Sequence, residues 1–342
     1  MAGEKHANIA LFVNHVGCPK QCTFCDQNVI VGDVPSHSCT PDDVRNAIRV
    51  AEAHGTTGAQ LAFFGGSFTG IDRDYMVSLL DAVQPYLGTV VTGIRCSTRP
   101  DYIDEEILDL LKAYHVEAIE LGAQSMDDRV LALNKRGHTA EDVRKASRLI
   151  RERGFELGLQ MMTGLCGDTD AGALRTADEL IALAPATVRI YPTVVLEGTE
   201  LARLWRAGEY APQTLDDAVP LCAELLRKFD AAGIAVIRLG LHSGGGVEDG
   251  YLAGAYHPAF RELCESRIYL DAALAALGVG PDAPPAGTRR ATLLVAPTEI
   301  SKMVGQKREN LETLKRLGFD CLVKADPGLT KYEIQVLQEL HQ

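Results

Sequence analysis

From Ile9 to about Ser243 the chain repeats one pattern of apolar and polar positions. A short apolar, β-branched run is followed by a longer stretch whose apolar residues recur every three or four positions. The short runs predict strands at Ile9–Asn14, Gln60–Phe64, Val90–Arg95, Ala118–Gly122, Glu156–Met161 and Thr187–Tyr191. The longer stretches predict helices at Pro41–His54, Tyr75–Tyr86, Asp104–Tyr114, Ala140–Arg153 and Ala171–Ala182. Thr40-Pro41-Asp42-Asp43 reads as a helix start, with Thr40 as N-cap and Pro41 at the first helical position. Gly154 after Arg151-Glu152-Arg153 reads as a helix stop. Such alternation predicts an α/β fold of parallel strands joined by helical crossovers, two units short of an eightfold barrel. In folds of that kind, reactive groups gather at the carboxyl ends of the strands.

The pattern then changes. A helix-like run at Thr214–Ala232 leads to a further strand at Val236–Ser243, a Gly244-Gly245-Gly246 turn and a helix-like run from Tyr256 to Ala276. Gly278 to Gly287 is rich in Gly and Pro and reads as a linker. Beyond it come a strand (Ala291–Ala296), a short helix (Pro297–Met303), the loop Gly305-Gln306-Lys307-Arg308, a helix (Glu309–Leu317) and a strand (Phe319–Lys324). The expected organisation is a core at 1–245, a helical extension with linker at 246–287 and a small α/β appendage at 288–342.

Composition narrows the classes. The chain has 342 residues, enough for one large α/β domain plus an appendage, and a net charge of −12 argues against a surface that coats nucleic acid. The appendage is locally basic, with Lys302, Lys307 and Arg308 among its cations. No apolar run reaches 18 residues and residues 1–8 lack a signal-peptide core, so the expected location is cytoplasmic, with no membrane partner. Nine cysteines in such a chain point to metal or redox roles before disulfides. Cys39, Cys96, Cys166, Cys222, Cys264 and Cys321 are scattered singly and read as small buried hydrophobes.

The other three, Cys18, Cys22 and Cys25, are spaced C-x3-C-x2-C in the loop after the first strand. Thiolates on so short a loop can face one centre, and soft sulfur ligands select zinc or iron–sulfur clusters. A closed zinc site or an all-cysteine four-iron cluster needs a fourth ligand. The loop supplies three, which leaves a coordination position for a ligand. Other strand ends carry polar or glycine-bearing segments: Phe64-Gly65-Gly66-Ser67, Cys96-Ser97-Thr98-Arg99-Pro100-Asp101, Gly122-Ala123-Gln124-Ser125, Asn134-Lys135-Arg136-Gly137-His138 and Gly164-Leu165-Cys166-Gly167-Asp168. The Gly-Gly pair is either a tight turn or a backbone that approaches a ligand closely.

The triad, with aromatic Phe24 before its last cysteine, resembles the signature of radical S-adenosylmethionine enzymes. Together with the strand-end segments, it is similar to the branch that holds the elongator catalytic subunit and the oxygen-independent coproporphyrinogen oxidases, over roughly residues 9–245. The resemblance implies an open (β/α)6 partial barrel. It implies a [4Fe–4S] cluster on Cys18, Cys22 and Cys25, with S-adenosylmethionine on the fourth iron and a 5′-deoxyadenosyl radical generated by reduction. Cofactor contacts would come from Phe24, Gly65, Gly66, Ser67, Gln124, Arg136 and Gln160, the arginine suiting a carboxylate. The fifth-strand motif usually reads Gly-Leu-Pro-Gly, and here Cys166 replaces the proline. Cys96 and Cys166 are then extra ligands, hydrogen-atom donors or passive residues. Tyr191, Glu197, Arg238 and His242 are candidates for the substrate side or for structural hydrogen bonds, and Tyr256 and His257 line a pocket or cap a helix.

The appendage resembles a KH-type RNA-binding module, whose Gly-x-x-Gly loop clamps nucleotide backbone, with Arg308 where the second glycine would stand. Lys302, Gly305, Lys307 and Arg308 are its candidate nucleic-acid residues; a basic packing module is the other reading. The expected activity is radical chemistry on an RNA, tRNA-like, substrate. About 55 residues follow the linker, too few for the acetyltransferase domain of the elongator subunit. A small electron-donor protein is an expected partner. The alternatives are a tetrapyrrole-related radical enzyme or heme chaperone, and a non-enzymatic iron–sulfur RNA-binding protein. The catalytic residues are not legible.

Overall fold

The computed structural model describes residues 8–13, 18, 22–26, 39–241, 246–279 and 289–338. They fall into two compact units: Met1–Thr214 with Phe229–Tyr256, and Leu215–Lys228 with His257–Gln342. Asn14, Pro19 to Gln21, His242 to Gly245 and the linker from Gly280 lie outside the described residues.

The first unit carries strands β1 (Asn8–Val13), β2 (Ala59–Gly65), β3 (Val91–Thr98), β4 (Val116–Gln124), β5 (Glu156–Thr163), β6 (Thr187–Pro192), β7 (Val194–Leu196), β8 (Ala235–Leu239) and β9 (Tyr251–Gly254). Seven of them form one open, curled sheet in the order β1-β2-β3-β4-β5-β6-β8. Every neighbouring pair in it is parallel. This is the expected α/β partial barrel, with β8 adding a seventh strand where the further strand was read. β7 and β9 make a separate antiparallel ribbon that the pattern did not announce. Helices α1 (Pro41–Ala53), α2 (Arg73–Val83), α3 (Glu105–Ala113), α4 (Asp128–Leu133), α5 (Ala140–Glu152), α6 (Asp170–Ala182), α7 (Glu200–Arg206), α8 (Leu215–Ala231, whose residues up to Lys228 belong to the second unit) and α9 (Gly246–Gly250) complete the order.

Local chemistry explains the boundaries. Thr40 starts α1 as expected, and the contact is reciprocal: its amide donates to Asp43 Oδ2 at 2.8 Å while its hydroxyl accepts from the Asp43 amide at 3.2 Å. In α5, Val143, Ala146, Ser147 and Ile150 form the buried stripe, and the chain turns out at Gly154 with φ +73°. β5 is buried on both faces over most of its length, which is the condition of a parallel strand covered by helices.

Midway along the sheet, neighbouring strands share an ion network in which Arg95 and Glu120 are buried, Arg189 is half-buried and Glu156 is exposed. Arg95 (β3) pairs with Glu120 (β4) at 3.0 Å and Glu156 (β5) at 2.9 Å, and Arg189 (β6) reaches Glu120 at 2.6 Å. Arg189 also lies over the Phe64 ring, 4.9 Å from its centroid. Gly158 makes room: a Cβ there would sit 2.8 Å from Glu120 Cγ.

The second unit contains α10 (Phe260–Ala276), β10 (Arg289–Val295), α11 (Ile300–Val304), α12 (Glu309–Arg316), β11 (Phe319–Ala325) and β12 (Gln335–Gln338). β10 is central, with β11 parallel on one side and β12 antiparallel on the other. The strand–helix–helix–strand order is the expected one, and β12 is an addition. Leu293, Val295, Met303, Leu314 and Phe319 pack with Tyr269 as the core.

Candidate functional site

The site is assembled from the segments at the carboxyl ends of the strands. After β1 comes the cysteine loop, with Cys22 buried and Cys18 and Cys25 half-buried. Burial, then Cys22 and Cys18, pushes the Cys25 thiol up to about 12, against the pull of Arg136. The three sulfurs therefore share one local field. Among the described residues no three His, Cys, Asp or Glu side chains stand in a ready-made ligand cage.

At the end of β2, Gly65 has φ +108°, a conformation that favours glycine, and the Gly66 amide donates to Val13 O of β1 at 3.0 Å. Ser67 comes next, buried, its hydroxyl without a partner. At the end of β4 the register slips between Gly122 and Gln124, and Gln124 adopts φ +67°. A bulge and a left-handed non-glycine residue at a strand end re-aim the side chain, a device common at ligand sites. Gln124 Oε1 accepts from Gln160 Nε2 at 3.2 Å. Arg136 Nη1 donates to Cys22 Sγ at 3.1 Å and its Nη2 to Gly122 O at 2.7 Å. A Cβ on Gly122 would lie 2.9 Å from Gln124 Nε2 and 3.2 Å from Arg136 Nη2, so this residue admits both. Cys22, Gly122, Gln124, Arg136 and Gln160 are thus joined through direct contacts. Phe24 packs against Val130, Met162 and Leu165.

Two further buried residues of the strand-end segments were not singled out as site residues by the sequence reading. Arg99, 3% exposed, clasps Asp101 with two bonds of 2.9 and 2.7 Å and keeps Nη1 unpartnered. Burial opposes its charge, but Asp101, and then Cys22 and Cys18, hold its pKa above the ordinary value. His138 is also buried; burial and then Arg136 lower it to about 4. It is neutral at physiological pH, with Nε2 at 3.2 Å from Ala123 O and Nδ1 unpartnered. A buried polar residue at a strand end was the available signal for both.

Four buried side-chain atoms here lack partners: Ser67 Oγ, Arg99 Nη1, Arg136 Nε and His138 Nδ1. Buried polar atoms are ordinarily paired. Donors and acceptors in one set, beside three soft sulfurs, fit a zwitterionic ligand next to an iron–sulfur centre.

The other candidates are divided. Cys96 is wholly buried, and burial followed by Glu120 pushes its thiol up to about 12. Cys39, Cys222 and Cys264 are buried too, whereas Cys166 and Cys321 are half-buried. Cys166 lines a cavity of about 280 Å³ with Leu165, Asp168, Asp170, Tyr210 and Gln213. Tyr191 joins the apolar group around Phe24, Glu197 pairs with Arg206 at 2.5 Å, and Arg238 donates to Gly240 O. Tyr256 donates to Glu248, and His257 Nδ1 accepts from the Ala259 amide just before α10, where the helix itself has no side-chain cap. In the second unit Lys302 is engaged by Glu265 at 2.8 Å and Glu299 at 2.9 Å. Gly305 has φ +80°, and Lys307 and Arg308 are exposed in left-handed conformations at +50° and +68°.

The model of the Radical SAM superfamily matches residues 15–180, and that of the Radical_SAM C-terminal domain matches 185–269. A tRNA uridine(34) acetyltransferase of Methanocaldococcus jannaschii is 28% identical over 256 residues, 63% of this chain and 47% of its own length. Mouse Elongator complex protein 3 is 28% identical over 197 residues, 51% of this chain and 36% of its own. The chain thus spans about half or less of these relatives. The solved structure of archaeal Methanocaldococcus infernus Elp3, at 20% identity and a TM-score of 0.59, covers 80% of this chain and 63% of that one, and shares the fold. The chain belongs to the radical S-adenosylmethionine superfamily and is an enzyme of that type.

Proposed function

We propose that this enzyme binds a [4Fe–4S] cluster through Cys18, Cys22 and Cys25 and S-adenosylmethionine through Gly65, Gly66, Ser67, Gln124, Arg136 and Gln160, and acts on an RNA of tRNA type. The observation that carries the reading is the joint at Cys22, where Arg136 links a cysteine sulfur to Gly122 and lies beside Gln124. A cluster held by Cys18, Cys22 and Cys25 would supply one-electron reductive cleavage chemistry to S-adenosylmethionine held by the strand-end residues. This chain's own groups orient and screen. The Arg136 guanidinium answers a carboxylate, Ser67 and the glycine backbone answer an ammonium or hydroxyl, and neutral His138 adds an acceptor without charge. Phe24 closes the loop against apolar residues, away from water.

Two observations support RNA. The relatives named above include a tRNA uridine(34) acetyltransferase, and the appendage exposes Lys307 and Arg308 on a loop that has glycine-like backbone angles. Lys302 is the weaker candidate because two carboxylates already hold it. The proposal includes a small electron-donor protein and a cytoplasmic location; among the described residues no helix is long and apolar enough to cross a membrane.

Anaerobic reconstitution with reductant tests the chemistry. The wild type should release 5′-deoxyadenosine from S-adenosylmethionine and Cys22→Ala should not; equal release from both would contradict the assignment. Crosslinking to tRNA tests the substrate. A Lys307→Ala/Arg308→Ala double variant should recover several-fold less RNA, and equal recovery removes the appendage from the interface.

A further inference from the structure

Between Cys22 and Cys25 the loop is tied down at one residue, Thr23, and the tie runs to a buried amide that the cofactor reading does not use. Asn134 ends α4 and is 0% exposed. Its side chain makes four hydrogen bonds. Oδ1 accepts from the Thr23 hydroxyl at 3.0 Å and from the Cys166 amide at 3.3 Å. Nδ2 donates to Val130 O at 2.8 Å and to Cys166 O at 2.9 Å. An amide side chain has two donors and one oxygen with two acceptor sites, so its capacity is filled. The orientation is fixed as well. Flipping the amide would set NH2 against the Cys166 N–H and the oxygen against two carbonyls.

Backbone bonds continue the tie. The Thr23 amide donates to Asn134 O at 3.3 Å, and Thr23 O accepts from the Leu201 amide at 2.7 Å. Thr23 itself is buried. The middle of the cysteine loop is therefore anchored to the end of α4, to the segment after β5 and to the start of α7.

We propose that Asn134 is the positioning residue of the cysteine loop, a latch that sets Cys22 and Cys25 before any cluster binds and couples them to the segment after β5. The inference rests on the cysteines being cluster ligands. It also gives the Cys166 departure a physical meaning. Proline at that position would have no N–H to offer Asn134 Oδ1, so what matters at 166 is the backbone amide and not the thiol. Aspartate at 134 would fail for the opposite reason, since a carboxylate has no donor for Val130 O and Cys166 O.

The test uses the full chain, reconstituted anaerobically with iron and sulfide, and tracks loss of the cluster absorption to a chelator. Asn134→Ala and Thr23→Val should lose the cluster about tenfold faster or more, as expected for the loss of four and of one buried hydrogen bonds respectively. Thr23→Ser, which keeps the hydroxyl, should match wild type. Cys166→Ser should match it too, and Cys166→Pro should not. Thr23→Val retaining its cluster like wild type overturns the latch, as does Cys166→Ser failing as badly as Cys166→Pro. If Asn134→Ala does not fold, the Thr23→Val and Thr23→Ser pair decides. If the wild type binds no cluster, the cysteine assignment falls, and amide exchange at 22–26 in metal-free protein judges the latch separately. Faster exchange in Thr23→Val than in Thr23→Ser supports it, and equal exchange overturns it.

Discussion

Midway along the sheet and at its carboxyl ends, the same strands carry buried polar side chains, but the two levels are completed differently. At the middle level Glu120 stands between Arg95 and Arg189, and Glu156 answers Arg95 again, so each charge faces an opposite one. At the ends, Ser67, Arg99, Arg136 and His138 are all buried and each leaves an atom without a partner. Removing polar groups from water is costly unless they are paired. The middle level meets that cost for its charged groups within the fold. The end level leaves it open, which is what a site that must receive a polar ligand requires. Under the proposed function, the difference separates structural ionic residues from ligand-binding ones on a single sheet.

The contrast between the levels can be broken in ordered ways. Glu120→Gln takes the counter-charge from half-buried Arg189 and leaves buried Arg95 with only the exposed Glu156, and should lower stability by about 3–5 kcal/mol in urea unfolding. S-adenosylmethionine affinity per folded molecule should hardly change; a large loss would mean that the middle level also serves the ligand.

His138 yields a pH dependence. Its folded pKa is lowered, to about 4 from 6.5, so below 6.5 the unfolded chain binds a proton that the native state refuses. Stability should fall as pH drops from about 6.5 to 4, by up to about 3 kcal/mol, and level off below. His138→Gln should flatten that segment of the curve. A segment that survives the substitution belongs to another group.

Arg136→Gln should weaken S-adenosylmethionine binding roughly ten- to a hundredfold, corresponding to about 1.5–3 kcal/mol for a charged hydrogen bond, and should destabilise less than Glu120→Gln. Ser67→Ala sharpens the contrast most finely. Its hydroxyl has no partner in the folded chain, so stability should stay within about 0.5 kcal/mol, while cofactor affinity drops by about 1 kcal/mol. Loss of stability instead of affinity would place Ser67 with the structural set.

Much of this was legible in the chain itself. Helix starts such as Thr40-Pro41 depend on local bonds, and α1 begins where they say. The cysteine spacing, Gln124 and Arg136 lie in short motifs, and the fold brings Cys22, Gln124, Arg136 and Gln160 together. What sequence could not display depends on distant partners. Asn134 is one polar residue among several at a helix end until Thr23 and Cys166, 111 and 32 positions away, take three of its four bonds. Lys302 reads as a free cation because Glu265 is remote in the chain, yet the two lie 2.8 Å apart. β12 is a short polar-rich segment whose strand character comes from pairing with β10. Such cases are decided by tertiary contact, not by local pattern.

The central claim is that the cysteine loop presents a cluster with one position open to S-adenosylmethionine. Low-temperature electron paramagnetic resonance of the reconstituted, reduced enzyme, recorded with and without S-adenosylmethionine, addresses it most directly. A four-iron signal whose g-values shift when S-adenosylmethionine is added is the predicted result. A signal that the cofactor leaves unchanged, or three cysteines that hold no cluster, would contradict it.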